Sequence, residues 1–348
     1  MTHPHLRRFL LALSALLFST LACRAATRLI IPDTSTPLPP TPIPPTATAF
    51  IPATLTPTLP AEASCPVPLA DIVDASLSFE SNSEENLDEE IYLTTYFVNG
   101  DDLSRPFYES VPDEFKDEQD DPAAHENLWN YFTRLVPLDQ REFVTGFAIV
   151  TDGSGEVLAA VGQTNDNPVE WSLEVDIVDS SDKYVLTFTL IHEFAHLLTL
   201  NAAQVPPSLA IFDNPDDDDI YQRELAACPN YFPGEGCSNS DAYINQFFDR
   251  FWFDLFAEWQ EIDQIADEDE YYASLDDFYD TYEDQFLTDY APTSPAEDIA
   301  ESFAFFVLSP KPPLDSIANE KIAFFYEFPE LIQLRSEIIN SVCAEFPQ

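Results

Sequence analysis

Two histidines four residues apart, with a glutamate directly after the first, form the clearest chemical pattern in the chain. His192, Glu193 and His196 lie in an apolar run over residues 191–197 and give the pattern H-E-x-x-H. In a helix, residues four apart lie on one face about 6 Å apart along the axis, so both imidazoles can reach one metal ion. The glutamate stays beside the ion, where it can act on a water molecule. The pattern predicts a zinc site; the alternative is a pair of buried or capping histidines.

A third protein ligand for such a site is available further along the chain. Ser294 and Pro295 predict the start of a helix, with the serine as its cap and the proline in its first turn. Glu297 and Glu301 then project from the same face, one turn apart. A carboxylate that faces the two histidines would complete a three-ligand set with an open position. The alternative is a capping box, in which Glu297 only satisfies the start of the helix.

The spacing of three residues around this helix start resembles that of a known peptidase family. They are Tyr290, Glu297 and Glu301. Together with the upstream His-Glu-Phe-Ala-His, this spacing resembles the anthrax lethal factor peptidase domain and its gluzincin relatives, although Ala195 stands where the family usually has glycine. The resemblance covers mainly residues 171–200 and 285–345. It implies an α+β, zincin-like metallopeptidase domain, in which a small mixed sheet packs on the H-E-x-x-H helix and the C-terminal part is mainly helical.

The resemblance also implies a role for each residue in the hydrolysis of peptide bonds. The zinc ligands would be His192, His196 and Glu297. Glu193 would be the general base, which takes a proton from a zinc-activated water and passes it to the leaving amine. Tyr290 would donate a hydrogen bond to the tetrahedral oxyanion, and Glu301 would orient a zinc-bound imidazole.

Two other functions remain open from the sequence. A different zinc-dependent hydrolase would keep the metal site, but the spacing of the tyrosine and the two glutamates argues against it. A catalytically inactive, peptidase-like surface binding lipoprotein is the main alternative. An inactive descendant is expected to lose its general base first, and Glu193 is present. We therefore expect an endopeptidase that acts on peptides or proteins.

The first 64 residues predict export and a tether. Residues 1–22 combine two arginines with an apolar stretch that is too short for a stable membrane span, which is typical of an export signal. The stretch ends in T-L-A-C, which resembles a bacterial lipobox and implies cleavage before Cys23 and lipidation of its thiol; an ordinary secretory signal is the alternative. Residues 23–64 are rich in proline and threonine, so we expect an extended linker. The peptidase domain is then expected over residues 65–348.

The charge of the chain limits its partners. Its 63 Asp and Glu residues against 14 Lys and Arg give a formal net charge of −49. Such a surface repels nucleic-acid phosphates and anionic lipids, so no nucleic acid is expected, and membrane contact is expected only through Cys23. The acidic surface suits an extracellular protein on a bacterial cell, which we expect to be a monomer.

The five cysteines fit no zinc-finger spacing. If Cys23 is lipidated, the other four can form two disulfides. The first choice of pairing is Cys228 with Cys237, which closes a short loop, and Cys65 with Cys343, which joins the two ends of the domain. The other two connectivities remain open.

Local patterns predict the secondary structure around these motifs. Helices are predicted over residues 84–98, 122–136, 182–200 and 247–262. Strands are predicted over residues 143–150, 157–162 and 171–177. The last of these alternates apolar and polar residues strictly, which predicts a half-buried strand at a sheet edge. Such an edge could pair with an extended peptide substrate.

Overall fold

The computed structural model describes residues 65–79, 90–153 and 157–346, apart from the side chains of residues 66 and 67. The predicted export signal and linker lie outside these residues. The described chain is an α+β protein, with a mixed sheet in its first half and helices predominating from residue 183 onward, so the predicted class is confirmed. No helix within these ranges is long and apolar enough to cross a membrane.

Five strands form one mixed sheet in the described chain. They are β1 Ile91–Asn99, β2 Asp102–Tyr108, β3 Val144–Thr151, β4 Ala159–Thr164 and β5 Asn167–Asp176. Their order across the sheet is β2-β1-β3-β5-β4, with β3 and β5 parallel and the other neighbours antiparallel. The described sheet therefore has β2 and β4 at its edges. The strands predicted over residues 143–150 and 157–162 are confirmed as β3 and β4, with ends that differ by one or two residues.

Two predictions about this sheet are wrong. The helix predicted over residues 84–98 is a strand where the structure describes it, because residues 91–98 belong to β1. Their β-branched and aromatic side chains fit a pleated strand between two neighbours. The strand predicted over residues 171–177 is confirmed within β5, but it is not at an edge, since β3 and β4 pair with it on both sides. The backbone of β5 is therefore not available to an extended peptide.

Twelve α-helices occur in the described residues. They are α1 Pro66–Ser78, α2 Lys116–Gln119, α3 Pro122–Leu135, α4 Lys183–Leu200, α5 Leu209–Phe212, α6 Asp218–Ala227, α7 Tyr243–Phe251, α8 Phe256–Asp263, α9 Glu268–Tyr282, α10 Pro295–Leu308, α11 Ile317–Phe324 and α12 Pro329–Glu345. The predicted helices over residues 122–136 and 182–200 are confirmed as α3 and α4. The single helix predicted over residues 247–262 is wrong, because α7 and α8 are separated by a turn. The chain turns at Trp252, whose fully buried indole donates to Asp298, so a tertiary contact overrides the helical periodicity there.

Helix α4 lies at the centre of the domain because it is apolar nearly all round. Its Asp182 cap accepts the backbone N–H groups of Tyr184 and Val185, and almost every residue from Val185 to the end of the helix is buried. The helix packs against α1, α10 and β4. This packing places the H-E-x-x-H motif between the sheet and the C-terminal helices.

Two disulfides link distant and local parts of the chain, and they have the pairing that was the first choice. Cys65–Cys343, here called the terminal disulfide, joins residues 278 apart in the sequence and ties the start of α1 to α12. Cys228–Cys237, here called the loop disulfide, joins residues only 9 apart. The terminal disulfide therefore holds together the two ends of the described chain.

Candidate metal centre

Three side chains from α4 and α10 meet at one point. The Nε2 atoms of His192 and His196 lie 3.1 Å apart, and Oε2 of Glu297 lies 3.0 Å from the first and 3.3 Å from the second. In a tetrahedral zinc site with bonds of about 2.0–2.1 Å, neighbouring ligand atoms are about 3.3 Å apart. The three atoms thus have the spacing of one face of such a tetrahedron. Each of the three residues is at most 8% exposed, so the donor atoms are held by packing.

The start of α10 explains how Glu297 reaches the histidines. Ser294 caps this helix, since its Oγ accepts the backbone N–H of Glu297 at 3.1 Å, and Pro295 occupies the first turn. The capping interpretation is therefore correct for the serine. The carboxylate of Glu297, however, is directed at both imidazoles. Glu297 can therefore act as a metal ligand, because its side chain is not used by the helix cap.

Glu301 holds the other side of the His192 ring. Its Oε1 lies 2.9 Å from Nδ1 of His192, so the Nδ1–H group of this imidazole donates to Glu301. Its Oε2 accepts a hydrogen bond from the hydroxyl of Thr288 at 2.9 Å. Thr288 is not among the residues predicted from the sequence.

Glu193 lies beside the three donor atoms and is only 8% exposed. Its carboxylate faces the edge strand β4, near the backbone of Val161. Burial raises the pKa of Glu193 to about 7, although the neighbouring imidazoles of His196 and His192 act in the opposite direction. A carboxyl group with a pKa near neutrality can both accept and release a proton at physiological pH.

Tyr290 completes the group from the segment that precedes α10. Its ring centroid lies 6.0 Å from that of His192, and its hydroxyl group lies near the carboxylate of Glu297. Burial, together with the negative charges of Glu297 and Glu193, raises the pKa of Tyr290 well above its ordinary value. The phenol therefore stays protonated and can donate a hydrogen bond.

The electrostatic environment favours positive charge at the donor atoms. Burial alone would raise the pKa of Glu297, but the imidazoles of His196 and His192 outweigh it and hold that pKa below its ordinary range. Burial alone would likewise lower the pKa of His192, but hydrogen bonds with Glu297 and Glu301 outweigh it and raise that pKa. An ionised carboxylate beside two imidazoles is a donor set that suits a divalent cation such as zinc.

A cleft of about 780 Å³ opens beside His192 and Glu193. Its apolar lining comes mainly from α1, α4 and the segments before β4 and Tyr290: Leu77, Phe79, Val157, Leu158, Val185, Phe188 and Leu287. Its acidic lining is formed by α9 and the segment after it: Asp276, Asp277, Asp280, Glu283 and Asp289. No lysine or arginine is among the described residues that line the cleft. The space beside the donor atoms therefore combines apolar and acidic surfaces.

A second group of carboxylates lies at the end of β5 that leads to α4. Asp152, Asp176 and Asp179 bring their oxygens within 4.8 Å of one another. The fully buried Asp176 accepts the backbone N–H groups of Asp152, Val178 and Asp179, so its role in the turn is structural.

Burial, with the charges of Glu174, Asp152 and Asp176, raises the pKa of the nearby Glu90 to about 7. This group supplies no residue to the centre described above.

The predicted site residues are all brought together. They are His192, Glu193, His196, Tyr290, Glu297 and Glu301. Comparison of the chain with protein-family models, characterised proteins and solved structures found no match. The class of protein must therefore be inferred from the chemistry of the site itself. Its two imidazoles and carboxylate define a centre that could hold a metal ion.

Proposed function

We propose that this domain is a zinc metallopeptidase of the gluzincin type with a zincin-like fold, exported and tethered at a bacterial cell surface. The spacing of three donor atoms, from His192, His196 and Glu297, is the observation that carries the proposal. Two imidazoles and one carboxylate form the ligand set of catalytic zinc sites that keep one coordination position open. A general base and a hydrogen-bond donor lie next to this set, as hydrolysis of a peptide bond requires.

Zinc, when bound, would act as a Lewis acid and lower the pKa of a water molecule towards 7. Glu193 would accept the proton that this water loses and deliver it to the leaving amine. Its burial beside the donor atoms and its place next to β4 support this role, because burial raises the pKa of the carboxyl group and packing fixes its position.

Tyr290 and Glu301 would support the same reaction. The phenol of Tyr290 stays protonated, so it can donate to the oxyanion that develops on the scissile carbonyl. Glu301 keeps the proton of His192 on Nδ1, which leaves Nε2 as a ligand. Glu193, Tyr290 and Glu301 would therefore act through proton transfer or hydrogen bonds, and all three already lie beside the donor atoms.

The substrate is proposed to be an extended peptide or protein chain. The edge strand β4 runs beside Glu193, in contrast to β5, which is paired on both sides. A chain laid along an edge strand extends on both sides of the scissile bond, which supports cleavage within the chain rather than at its end. The cleft beside Glu193 then receives a side chain of that substrate.

Export is supported by the two disulfides. Disulfides form and persist mainly in oxidising surroundings, such as the outside of a bacterial cell. The proposed lipid anchor at Cys23 and the linker over residues 23–64 follow from their sequence patterns alone.

The proposal can be tested on the exported protein purified under oxidising conditions. Bound metal is measured by mass spectrometry, and cleavage is measured on a diverse pool of peptides. We expect nearly one zinc per chain in the wild type and in Glu193→Gln, with cleavage lowered by about 10² to 10⁴ in that variant. Glu297→Ala should lose zinc and cleavage together. Glu261→Gln, on the exposed face of α8, is the matched control and should change neither.

Three outcomes would count against the peptidase. A folded wild-type protein without zinc would remove the metal site. Full cleavage by Glu193→Gln would remove the proposed general base. Stoichiometric zinc without cleavage of any peptide would instead favour the inactive surface binding lipoprotein.

A further inference from the structure

The hydroxyl of Thr288 joins two parts of the proposed centre. Its Oγ1 donates to Oε2 of Glu301 at 2.9 Å and accepts the backbone N–H of Ala291 at 3.1 Å. Oε1 of the same Glu301 lies 2.9 Å from Nδ1 of His192. A continuous chain of hydrogen bonds thus runs from the backbone after Tyr290 to one of the proposed metal ligands.

The contact with Glu301 fixes the rotation of a buried carboxylate. Glu301 is only 4% exposed, so both of its oxygens need hydrogen-bond donors. His192 supplies one donor and Thr288 supplies the other, on opposite oxygens. With both bonds formed, the carboxylate has one orientation, and through it the His192 ring has one orientation.

The contact with Ala291 fixes the segment that carries Tyr290. A threonine hydroxyl that accepts a backbone N–H three residues later closes a local turn. Tyr290 lies inside this turn, with its ring 6.0 Å from that of His192. The orientation of the phenol and that of the imidazole therefore both depend on one hydroxyl group.

We propose that Thr288 is a positioning residue that sets the geometry of His192 through Glu301 and the geometry of Tyr290 through the turn to Ala291. This inference rests on the proposed zinc site. It predicts that loss of the hydroxyl weakens zinc binding and lowers kcat, while KM stays close to that of the wild type. The hydroxyl of Thr288 bonds to Glu301 and Ala291 rather than to a proposed metal ligand, so it would influence zinc binding and catalysis through other residues.

Three variants separate the hydroxyl from the rest of the side chain. Thr288→Val keeps the shape and removes both hydrogen bonds, whereas Thr288→Ser keeps the hydroxyl and removes a methyl group. Thr293→Val is the matched control in the same segment, because the described residues offer no hydrogen-bond partner to the buried hydroxyl of Thr293. Thermal unfolding of each variant identifies any that fails to fold.

The zinc dissociation constant is measured by competition with a chelator, and kcat and KM are measured on a peptide that the wild type cleaves. Removal of groups that orient metal ligands costs about 10- to 100-fold in affinity. For Thr288→Val we expect the zinc affinity to fall by about tenfold, at the lower end of this range, and kcat to fall by at least as much. Thr288→Ser and Thr293→Val should both stay within about twofold of the wild type.

A structural readout accompanies these rates. In zinc-loaded protein with labelled histidine, the Nδ1–H proton of His192 should exchange with solvent faster in Thr288→Val than in Thr288→Ser. Equal behaviour of Thr288→Val and Thr293→Val in affinity and exchange would overturn the inference while leaving the peptidase intact. If Thr288→Ser behaves like Thr288→Val, the methyl group and not the hydroxyl matters, which also overturns it. A wild type that binds no zinc refutes the proposed function and this inference together.

Discussion

A buried ion pair next to the proposed centre allows a quantitative test of how α10 is held. Nζ of Lys321 lies 2.6 Å from Oδ2 of Asp298, and both residues are completely buried. Trp252 donates its indole N–H to the same oxygen at 2.7 Å, and the ammonium group lies 4.0 Å from the ring centre of Phe286. Burial raises the pKa of Asp298 and lowers that of Lys321, while each charge stabilises the other. Each ion is therefore stable only in the presence of its partner.

The cost of breaking this pair follows from its burial. Unit charges 2.6 Å apart attract each other by about 6 kcal/mol at an effective dielectric constant of 20. Removal of one partner leaves an uncompensated buried charge, which costs about 3–5 kcal/mol. We therefore expect Lys321→Met and Asp298→Asn each to lower the free energy of unfolding by that amount. The double variant leaves neither charge, so its loss should fall below the sum of the single losses by about 3 kcal/mol or more.

The free energies are measured by urea unfolding in the presence of a chelator, so that bound metal does not contribute. Arg250–Glu327 is the control pair, because its atoms are 2.7 Å apart but its side chains are 40% and 59% exposed. The coupling free energy between Arg250 and Glu327, measured in the same double-variant cycle, should stay below about 1 kcal/mol. Additive losses at Lys321 and Asp298, within about 0.5 kcal/mol, would refute the ion pair.

Three further predictions concern the disulfides, the pH dependence of stability and the substrate. Loop entropy predicts that the terminal disulfide stabilises the fold by about 6 kcal/mol and the loop disulfide by about 3 kcal/mol. Replacing each disulfide by two serines should therefore lower the free energy of unfolding in urea by amounts that differ by about 3 kcal/mol. Equal losses would contradict this. Burial raises the pKa of Glu90 from 4.5 to about 7, so the folded state retains a proton that the unfolded state releases, and stability falls as pH rises through that window. Glu90→Gln should therefore raise the melting temperature more near pH 8 than near pH 5, and a uniform effect would argue against the shifted pKa. Because the lining of the cleft contains five carboxylates from α9 and the segment after it and no lysine or arginine, basic peptides should be cleaved faster than acidic ones of the same length. That difference should shrink in about 1 M salt, and an unchanged ratio would rule out the electrostatic cause.

Much of the proposed site could be predicted from the sequence because its signals are local. The H-E-x-x-H spacing, the Asp182 cap of α4 and the Ser-Pro start of α10 each depend on residues within one helical turn. The side on which Glu297 lies follows from helical periodicity once the start of α10 is known. Its contact with His192, which lies 105 residues earlier, depends on tertiary packing, and only the resemblance indicated it.

The errors concern features that depend on distant partners. The segment over residues 91–98 has a mixed pattern, and its pairing with β3 makes it a strand. The position of β5 inside the sheet depends on β4 turning back beside it, which no periodicity in β5 reveals. Thr288 has no pattern that distinguishes it, since its role arises from the position of Glu301 on the next helix.

The terminal disulfide has a consequence for the survival of this protein when proteases act on it. It closes the backbone from Cys65 to Cys343 into a covalent ring. A single proteolytic cut in any loop within this ring opens the ring without releasing a fragment. Both pieces stay attached through the sulfur atoms of Cys65 and Cys343. A nicked molecule would therefore migrate as one chain until it is reduced, and it would keep His192, His196 and Glu297 together.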